Sequence, residues 1–144
     1  MKRFLFIVFG FFFILIALPA SAGVLVKAPA SSSVYYISGD NRYVFPNDQT
    51  YKSWYSDYSA ITSVTDEQLA SLTLAGNVTY RPGKRLVKVQ TDPKVYAVSE
   101  NGTLRWITTE EVAATLYGSN WGQQIDDIPD VFFTNYKVGC CFWS

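Results

Sequence analysis

A pattern of strand, turn, strand and helix occurs twice in this chain, and it limits the possible fold more than any other feature. Residues 95–118, VYAVSENGTLRWITTEEVAATLYG, contain two short apolar strands around an Asn-Gly turn, followed by a helix that ends at a glycine. Residues 34–54 repeat the hairpin, the arginine after its turn and the helix. The pattern predicts an α+β fold, with two similar β-hairpin-plus-short-helix units packed as one small domain.

The spacing of matching residues indicates an internal duplication. Leu25 recurs as Leu86 and Val34 recurs as Val95, both at an offset of 61 residues. After the hairpin turn the offset is 63 for three further pairs, namely Arg42 with Arg105, Tyr58 with Trp121 and Gly76 with Gly139. A change of two inside a turn disturbs packing least. The offsets therefore predict that Tyr43 and Val44 superpose on Trp106 and Ile107 in the folded chain.

Turn and capping residues predict the remaining elements. Asn47 or Asp48 can cap a helix over residues 49–55 that buries Tyr51 and Trp54. Capping boxes predict two more helix starts, at Thr65 with Gln68 and at Thr108 with Glu111. Pro82-Gly83 predicts a second hairpin between residues 77–80 and 85–89, and a last helix is expected over residues 130–136.

Residues 1–22 have the three parts of a secretory signal peptide. Lys2 and Arg3 form a basic start, residues 4–18 are apolar, and Ala20-Ser21-Ala22 fits a signal-peptidase site. The apolar run of about 15 residues is shorter than the roughly 20 of a spanning helix, although an uncleaved anchor is an alternative. We expect a secreted or cell-surface protein, with unit one at residues 23–83 and unit two at 84–144. Membrane contact is expected only through the signal segment, if it stays uncleaved.

Composition excludes several classes of function. The chain has 12 basic and 12 acidic side chains, so setting aside Lys2 and Arg3 leaves ten against twelve. This balance does not fit a nucleic-acid partner, which needs a clustered basic excess. The chain has no histidine, which removes the commonest general base and metal ligand. We therefore predict that the protein is not an enzyme and uses no cofactor and no metal.

Three sets of polar residues are the candidate sites. Asp126, Asp127 and Asp130 could bind calcium, although caps at a helix start near Pro129 explain them as well. Arginine stands beside an aromatic ring after each turn, and such a pair could contact a carboxylate or a sugar, or stack and pair within the sheet. These pairs are Arg42 with Tyr43 and Arg105 with Trp106. Cys140 and Cys141 are adjacent, so a bridge between them would be strained, and they either crosslink two chains or are incidental.

Several short segments also resemble a known repeat. LVK at 86–88, DPKVYAV at 92–98, GTLRWI at 102–107, LYG at 116–118 and DIPD at 127–130 are similar to an uncharacterised tandem repeat module. That module occurs in secreted and cell-surface proteins of candidate-phylum bacteria. The resemblance covers most of residues 23–139, implies an exported and often multi-copy module, and transfers no catalytic residue. The Cys140-Cys141 ending departs from the module, so either the ending is a terminal cap or the chain is a fragment of a longer array.

Three functions fit these observations. The first is an exported, non-enzymatic surface, structural or interaction module with a cell-envelope glycan or protein as partner. The alternative is a carbohydrate- or cell-wall-binding domain that uses tyrosine and tryptophan platforms. The third is a small hydrolase with two catalytic carboxylates, which the sequence supports least because no carboxylate pair stands out.

Overall fold

The computed structural model describes residues 23–141 as a small α+β domain. Within this range the chain forms two five-stranded mixed sheets and four short helices. The predicted signal peptide, residues 1–22, lies outside the described range. The α+β class and the two similar sheet units agree with the sequence prediction.

The first sheet is a three-stranded antiparallel meander with one parallel strand added at each edge. Its order is β4-β1-β2-β3-β5, and the parallel pairs are β1 with β4 and β3 with β5. The strands are β1 (Val24–Lys27), β2 (Tyr35–Ser38), β3 (Asn41–Val44), β4 (Thr62–Ser63) and β5 (Thr73–Asn77).

The second sheet repeats this arrangement. Its order is β9-β6-β7-β8-β10, again with an antiparallel meander and parallel edge strands. The strands are β6 (Leu86–Val89), β7 (Val95–Ser99), β8 (Thr103–Trp106), β9 (Ile125–Ile128) and β10 (Lys137–Val138). Each sheet therefore places its strands in the same order along the chain.

A helix precedes each edge strand along the chain. The helices are α1 (Asp48–Trp54), α2 (Asp66–Ala70), α3 (Glu110–Tyr117) and α4 (Asp130–Phe133). Asn47 caps α1, where its side-chain oxygen accepts from the Thr50 N–H at 2.8 Å. Tyr51 is buried as predicted, but Trp54 is not. The Trp54 indole turns outward and donates to the Thr79 carbonyl, so the prediction of a buried Trp54 is wrong.

The first predicted capping box is confirmed and the second is wrong. Thr65 and Gln68 exchange the two expected hydrogen bonds at the start of α2. Helix α3 begins one residue later than predicted, because Thr109 rather than Thr108 accepts from the Val112 N–H. Valine three positions after this cap has no polar side chain with which to complete a box.

Strand pairing also corrects the offset between the two units. Tyr43 lies opposite Tyr36, and Arg105 lies opposite Ala97, the equivalent of Tyr36 at offset 61. The first hairpin turn therefore differs from the second by one residue rather than two. Arg42 and Arg105 are not equivalent and occupy opposite faces, because adjacent strand positions alternate. The predicted superposition of Tyr43 on Trp106 and of Val44 on Ile107 is wrong by one position.

The predicted hairpin around Pro82-Gly83 is also wrong. Strand β5 belongs to the first sheet and β6 to the second, so residues 78–85 connect the two units. This connection contacts both units, since the Arg81 N–H donates to Ser53 and the Gly83 N–H donates to the Val98 carbonyl. Gly102 lies so close that an added Cβ would stand 2.9 Å from Thr79. Its φ of 65° also favours glycine.

Within residues 23–141, four apolar clusters form the core, two on each sheet. The largest buried rings are Tyr51 in the first unit and Tyr80 from the connection, which are 2% and 1% exposed. Tyr80 packs into the second unit against Val87 and Leu104, among others. The connection thus supplies part of the core of the second unit.

Candidate binding clefts

The first unit contains a cleft of about 580 Å³, here called cleft one, between the start of β2 and the start of α1. This volume falls within the roughly 300–1,000 Å³ of small-molecule sites. Aromatic rings and polar groups share its lining. The lining includes Lys27, Ser33, Asn47, Asp48, Tyr51 and Tyr58.

The Tyr58 ring forms one wall of cleft one and is held in place by two contacts. It stacks on Tyr51 with ring centroids 4.6 Å apart and an angle of 16° between the rings. Its hydroxyl donates to the Asp48 carboxylate, which also pairs with Lys52 at 2.6 Å. Stacking of this kind contributes about 0.5–1.5 kcal/mol beyond area burial. Tyr58 nevertheless stays 49% exposed, so part of its ring faces solvent.

A hydrogen-bonded loop, residues 56–59, sets the position of Tyr58. The Ser59 hydroxyl and the Ser59 N–H both donate to the Asp57 carboxylate, and the Ser56 hydroxyl donates to it at 3.1 Å. These donors hold the pKa of Asp57 below its ordinary value, with the Ser59 hydroxyl contributing most. The Tyr51 hydroxyl donates to the Asp57 carbonyl at 2.8 Å, and burial raises the pKa of Tyr51.

We expect Ser59→Ala to raise the pKa of Asp57 toward the ordinary aspartate value of about 3.9. Because the folded pKa is depressed, the stabilisation by this carboxylate is present above the ordinary pKa. It is lost as pH falls through the folded value. The measurement is an NMR titration of the Asp57 carboxyl carbon. Ser56→Ala is the matched control and should raise the pKa less, since its hydrogen bond contributes less. A larger rise for Ser56→Ala would contradict the assignment.

The second unit contains a cleft of about 370 Å³, here called cleft two, at the equivalent place. Nine of its ten lining positions have a counterpart in cleft one. The residue numbers of the counterparts differ by 61 before the hairpin turn and by 62 from the end of the hairpin through helix α3. They differ by 63 at Trp121. Val34 corresponds to Val95, Asp48 to Glu110 and Tyr58 to Trp121. The two units therefore place a cleft with one carboxylate and an aromatic wall at the same point of the fold.

The tenth lining residue of cleft two is Trp106, a member of the predicted contact set. Its side chain is 36% exposed. The Lys94 ammonium stands 5.6 Å from the centre of its ring, within the range of a cation–π contact. Trp121 packs against the apolar cluster that contains Ala113, the small counterpart of Tyr51. Cleft two thus takes its aromatic surface from tryptophans rather than from a tyrosine stack.

The other three residues of the predicted contact set line neither cleft. Arg42 donates to the Leu69 carbonyl at 2.7 Å and lies over the Tyr35 ring at 5.6 Å. Arg105 donates to the Ser99 hydroxyl at 3.1 Å. Tyr43 lies opposite Tyr36 in the sheet. These contacts favour the structural alternative for both arginines.

The three aspartates proposed for calcium are directed to different partners. Asp126 accepts two hydrogen bonds from Arg85, at 2.6 and 2.7 Å, and Asp127 pairs with Lys88 at 3.4 Å. Asp130 accepts from the Thr91 hydroxyl at 2.8 Å. Asp126 and Asp127 are successive residues of a strand and so face opposite sides. Residues 23–141 contain no grouping of three or more acidic or cysteine side chains that could hold a metal ion.

The alternative role of these aspartates, as acidic groups at a helix start, holds for Asp130, which lies in the first turn of α4, and is wrong for Asp126 and Asp127. Asp126 and Asp127 belong to strand β9, and helix α4 starts after Pro129 without a side-chain cap. Cys140 is exposed and Cys141 is partly buried, and both are free thiols.

Comparisons of the chain with protein-family models, curated proteins and solved structures find no match. Within residues 23–141, no helix has the length and apolar character needed to cross a membrane. Sequence reasoning identified Trp106 but missed the other cleft residues, and the only available signal was the pairing of Tyr58 with Trp121.

Proposed function

We propose that this chain is an exported, non-enzymatic interaction module that binds a cell-envelope partner through its two clefts. One observation carries the proposal, namely that both units form a cleft at the same place, with a carboxylate at the helix start and an aromatic wall. Large amphipathic rings are the side chains most enriched where proteins contact ligands and partners. The signal-like sequence of residues 1–22 supports export to the cell surface or medium.

The matching clefts and sheets also support an origin by internal duplication. Equal strand order and equal pairing register are expected when two units descend from one. Insertions of one residue in the hairpin turn and of two more after the helix account for the offsets 61, 62 and 64, the last seen at the edge strands. The likeness to a tandem module of exported bacterial proteins agrees with this origin.

A binding role fits the chemistry of the clefts better than catalysis does. Each cleft lining contains one carboxylate, Asp48 or Glu110, whereas hydrolysis by carboxylates uses a pair across the substrate. Asp48 is itself engaged by Tyr58 and Lys52. A carboxylate held in this way orients neighbouring groups rather than transferring protons.

The proposal is tested by co-sedimentation of the exported chain with isolated bacterial envelopes. We expect the chain to be secreted without residues 1–22, to sediment with envelopes, and to leave the sugar and peptide composition of the envelopes unchanged. The double variant Tyr58→Ala/Trp106→Ala should sediment at least about tenfold less, since it removes an exposed ring from each cleft. Equal sedimentation of the double variant, or release of envelope fragments, would contradict the proposal.

A further inference from the structure

The Tyr58 ring in cleft one is unusually well fixed for a side chain that is 49% exposed. Tyr51 covers one of its faces, and the hydrogen bond to Asp48 holds its hydroxyl end. Tyr58 lines cleft one, and about half of its surface is exposed, so part of the ring is available to a ligand in the cleft. A ring that is already ordered loses little conformational entropy when a ligand packs on it, which favours binding.

Hydrogen-bond donors and hydrogen-bond acceptors line the same cleft as this ring. Ser33 and Lys27 can donate, while Asp48 and the Ser33 hydroxyl can accept. A ligand that suits this lining has one flat apolar face and a rim of groups that both donate and accept. A pyranose sugar has this form, because its C–H groups make a flat face and its hydroxyls lie around the ring edge.

The charges of the clefts indicate a neutral ligand. The lining of cleft one holds one acid and one base, Asp48 and Lys27, and cleft two holds Glu110 and Lys94. A site for nucleic acid or another polyanion concentrates basic groups instead. Neither cleft has the excess of one sign that would attract a charged polymer.

Cleft two has the same plan with weaker features. Trp106 offers a larger ring, but the Lys94 ammonium stands over it and would have to move before a sugar could stack on that side. The cleft is also smaller, at about 370 Å³ against about 580 Å³. We therefore expect cleft two to be the lower-affinity site.

We propose that cleft one binds a neutral pyranose chain, with one sugar stacked on Tyr58, and that cleft two binds a second segment of the same class on Trp106. This inference depends on the proposed binding function and adds the chemical class of the ligand. Pyranose chains with equatorial linkages and substituents suit cleft one best, because the flat C–H face of each sugar then stays open for stacking.

The test is a calorimetric titration of the mature chain with two β-1,4-linked hexasaccharides, one of N-acetylglucosamine and one of glucose. We expect binding of at least one of them at two sites of unequal affinity. Tyr58→Ala should weaken the tighter site about tenfold, the usual effect of removing one anchoring ring. Trp54→Ala is the matched control, because Trp54 is also a partly exposed ring, at 37%, but lies outside both clefts. Its affinities should equal those of the wild type.

Failure to bind either hexasaccharide at millimolar concentration would overturn the inference, as would full-strength binding by Tyr58→Ala. If that variant does not fold, NMR of the wild type decides instead. Saccharide must then shift the ring resonances of Tyr58, and shifts confined to other residues would overturn the assignment. Envelopes stripped of protein or of glycan separate the two proposals. If sedimentation is lost when protein is removed from the envelopes but not when glycan is removed, the saccharide proposal is overturned and the interaction function is kept. If the chain sediments with no envelope preparation, both proposals are overturned.

Discussion

Replacing Tyr80 with alanine should lower the free energy of unfolding by about 3–5 kcal/mol, the range for truncation of a large buried ring. Tyr80 is 1% exposed and packs against the apolar cluster of the second unit. Its backbone N–H also donates to the Tyr136 hydroxyl at 3.1 Å. Since Tyr80 belongs to the connection between the units, its loss should loosen their junction as well as the core. Urea unfolding followed by tryptophan fluorescence measures the change.

Tyr80→Phe is the matched control, because it keeps the ring and removes only the hydroxyl. That hydroxyl is buried and has no partner in hydrogen-bond geometry. Burial and, to a lesser extent, the nearby Asp126 charge raise the pKa of Tyr80. Removing an unsatisfied buried hydroxyl is nearly neutral or stabilising, so Tyr80→Phe should unfold at or above the wild-type urea midpoint. A Tyr80→Phe variant as unstable as Tyr80→Ala would show that the hydroxyl, not the ring, matters.

The part of the fold that sequence predicted well is the local part. Hairpin and helix signals depend on neighbouring residues, such as the Asn101-Gly102 turn, whose residues adopt φ of 56° and 65°. Thr65 with Gln68 is equally local. These two signals needed no knowledge of the partner strands, and the structure confirms both, whereas the equally local signals at Thr108 and at Pro82-Gly83 were wrong.

The parallel edge strands could not be predicted in the same way. Ile125–Ile128 reads as IDDI, and its two aspartates suggested a helix cap. The segment becomes a strand because it pairs with β6, about 40 positions earlier in the chain, where Arg85 and Lys88 meet the two carboxylates. Such pairing over long separation has no local signal.

The error in the hairpin register has a different cause. Arg42 and Arg105 are the same residue type after the same turn, so an offset of 63 looked natural. Backbone pairing shows an offset of 62 at that point, with the Phe45 N–H bonded to the Val34 carbonyl and the Ile107 N–H to the Val95 carbonyl. A match of one side-chain type indicates the register less well than the alternation of side chains along a strand does. A shift of one residue moves every side chain of the strand to the opposite face of the sheet.

The clefts were beyond sequence reasoning for a related reason. Lys27, Asp48 and Tyr58 come from three separate segments, and only the folded sheet and helix bring them together. The likeness of the two clefts becomes visible once the offsets of each segment are known. The aromatic content alone could not distinguish a cleft wall such as Tyr58 from a core ring such as Tyr51.

Arg85→Ala should lower the free energy of unfolding by about 2 kcal/mol, less than the 3–5 kcal/mol of a fully buried pair. The Arg85 guanidinium donates two hydrogen bonds to the Asp126 carboxylate and one to the Gln123 carbonyl at 3.2 Å. The two side chains are 33% and 16% exposed. The variant leaves a mostly buried carboxylate without its cation, next to the Tyr80 hydroxyl. The measurement is again the urea midpoint and slope.

Lys88→Ala is the comparison within the same strand pair. The Lys88 Nζ and Asp127 Oδ1 atoms are 3.4 Å apart. The two side chains are 41% and 52% exposed, respectively, so water screens their attraction. We expect a cost of about 0–1 kcal/mol, which is the range of surface ion pairs. The double variant Arg85→Ala/Asp126→Asn should recover part of the loss, because no unpaired charge is then buried. Equal costs for Arg85→Ala and Lys88→Ala, with no recovery in the double variant, would mean that β9 is held by its backbone pairing alone.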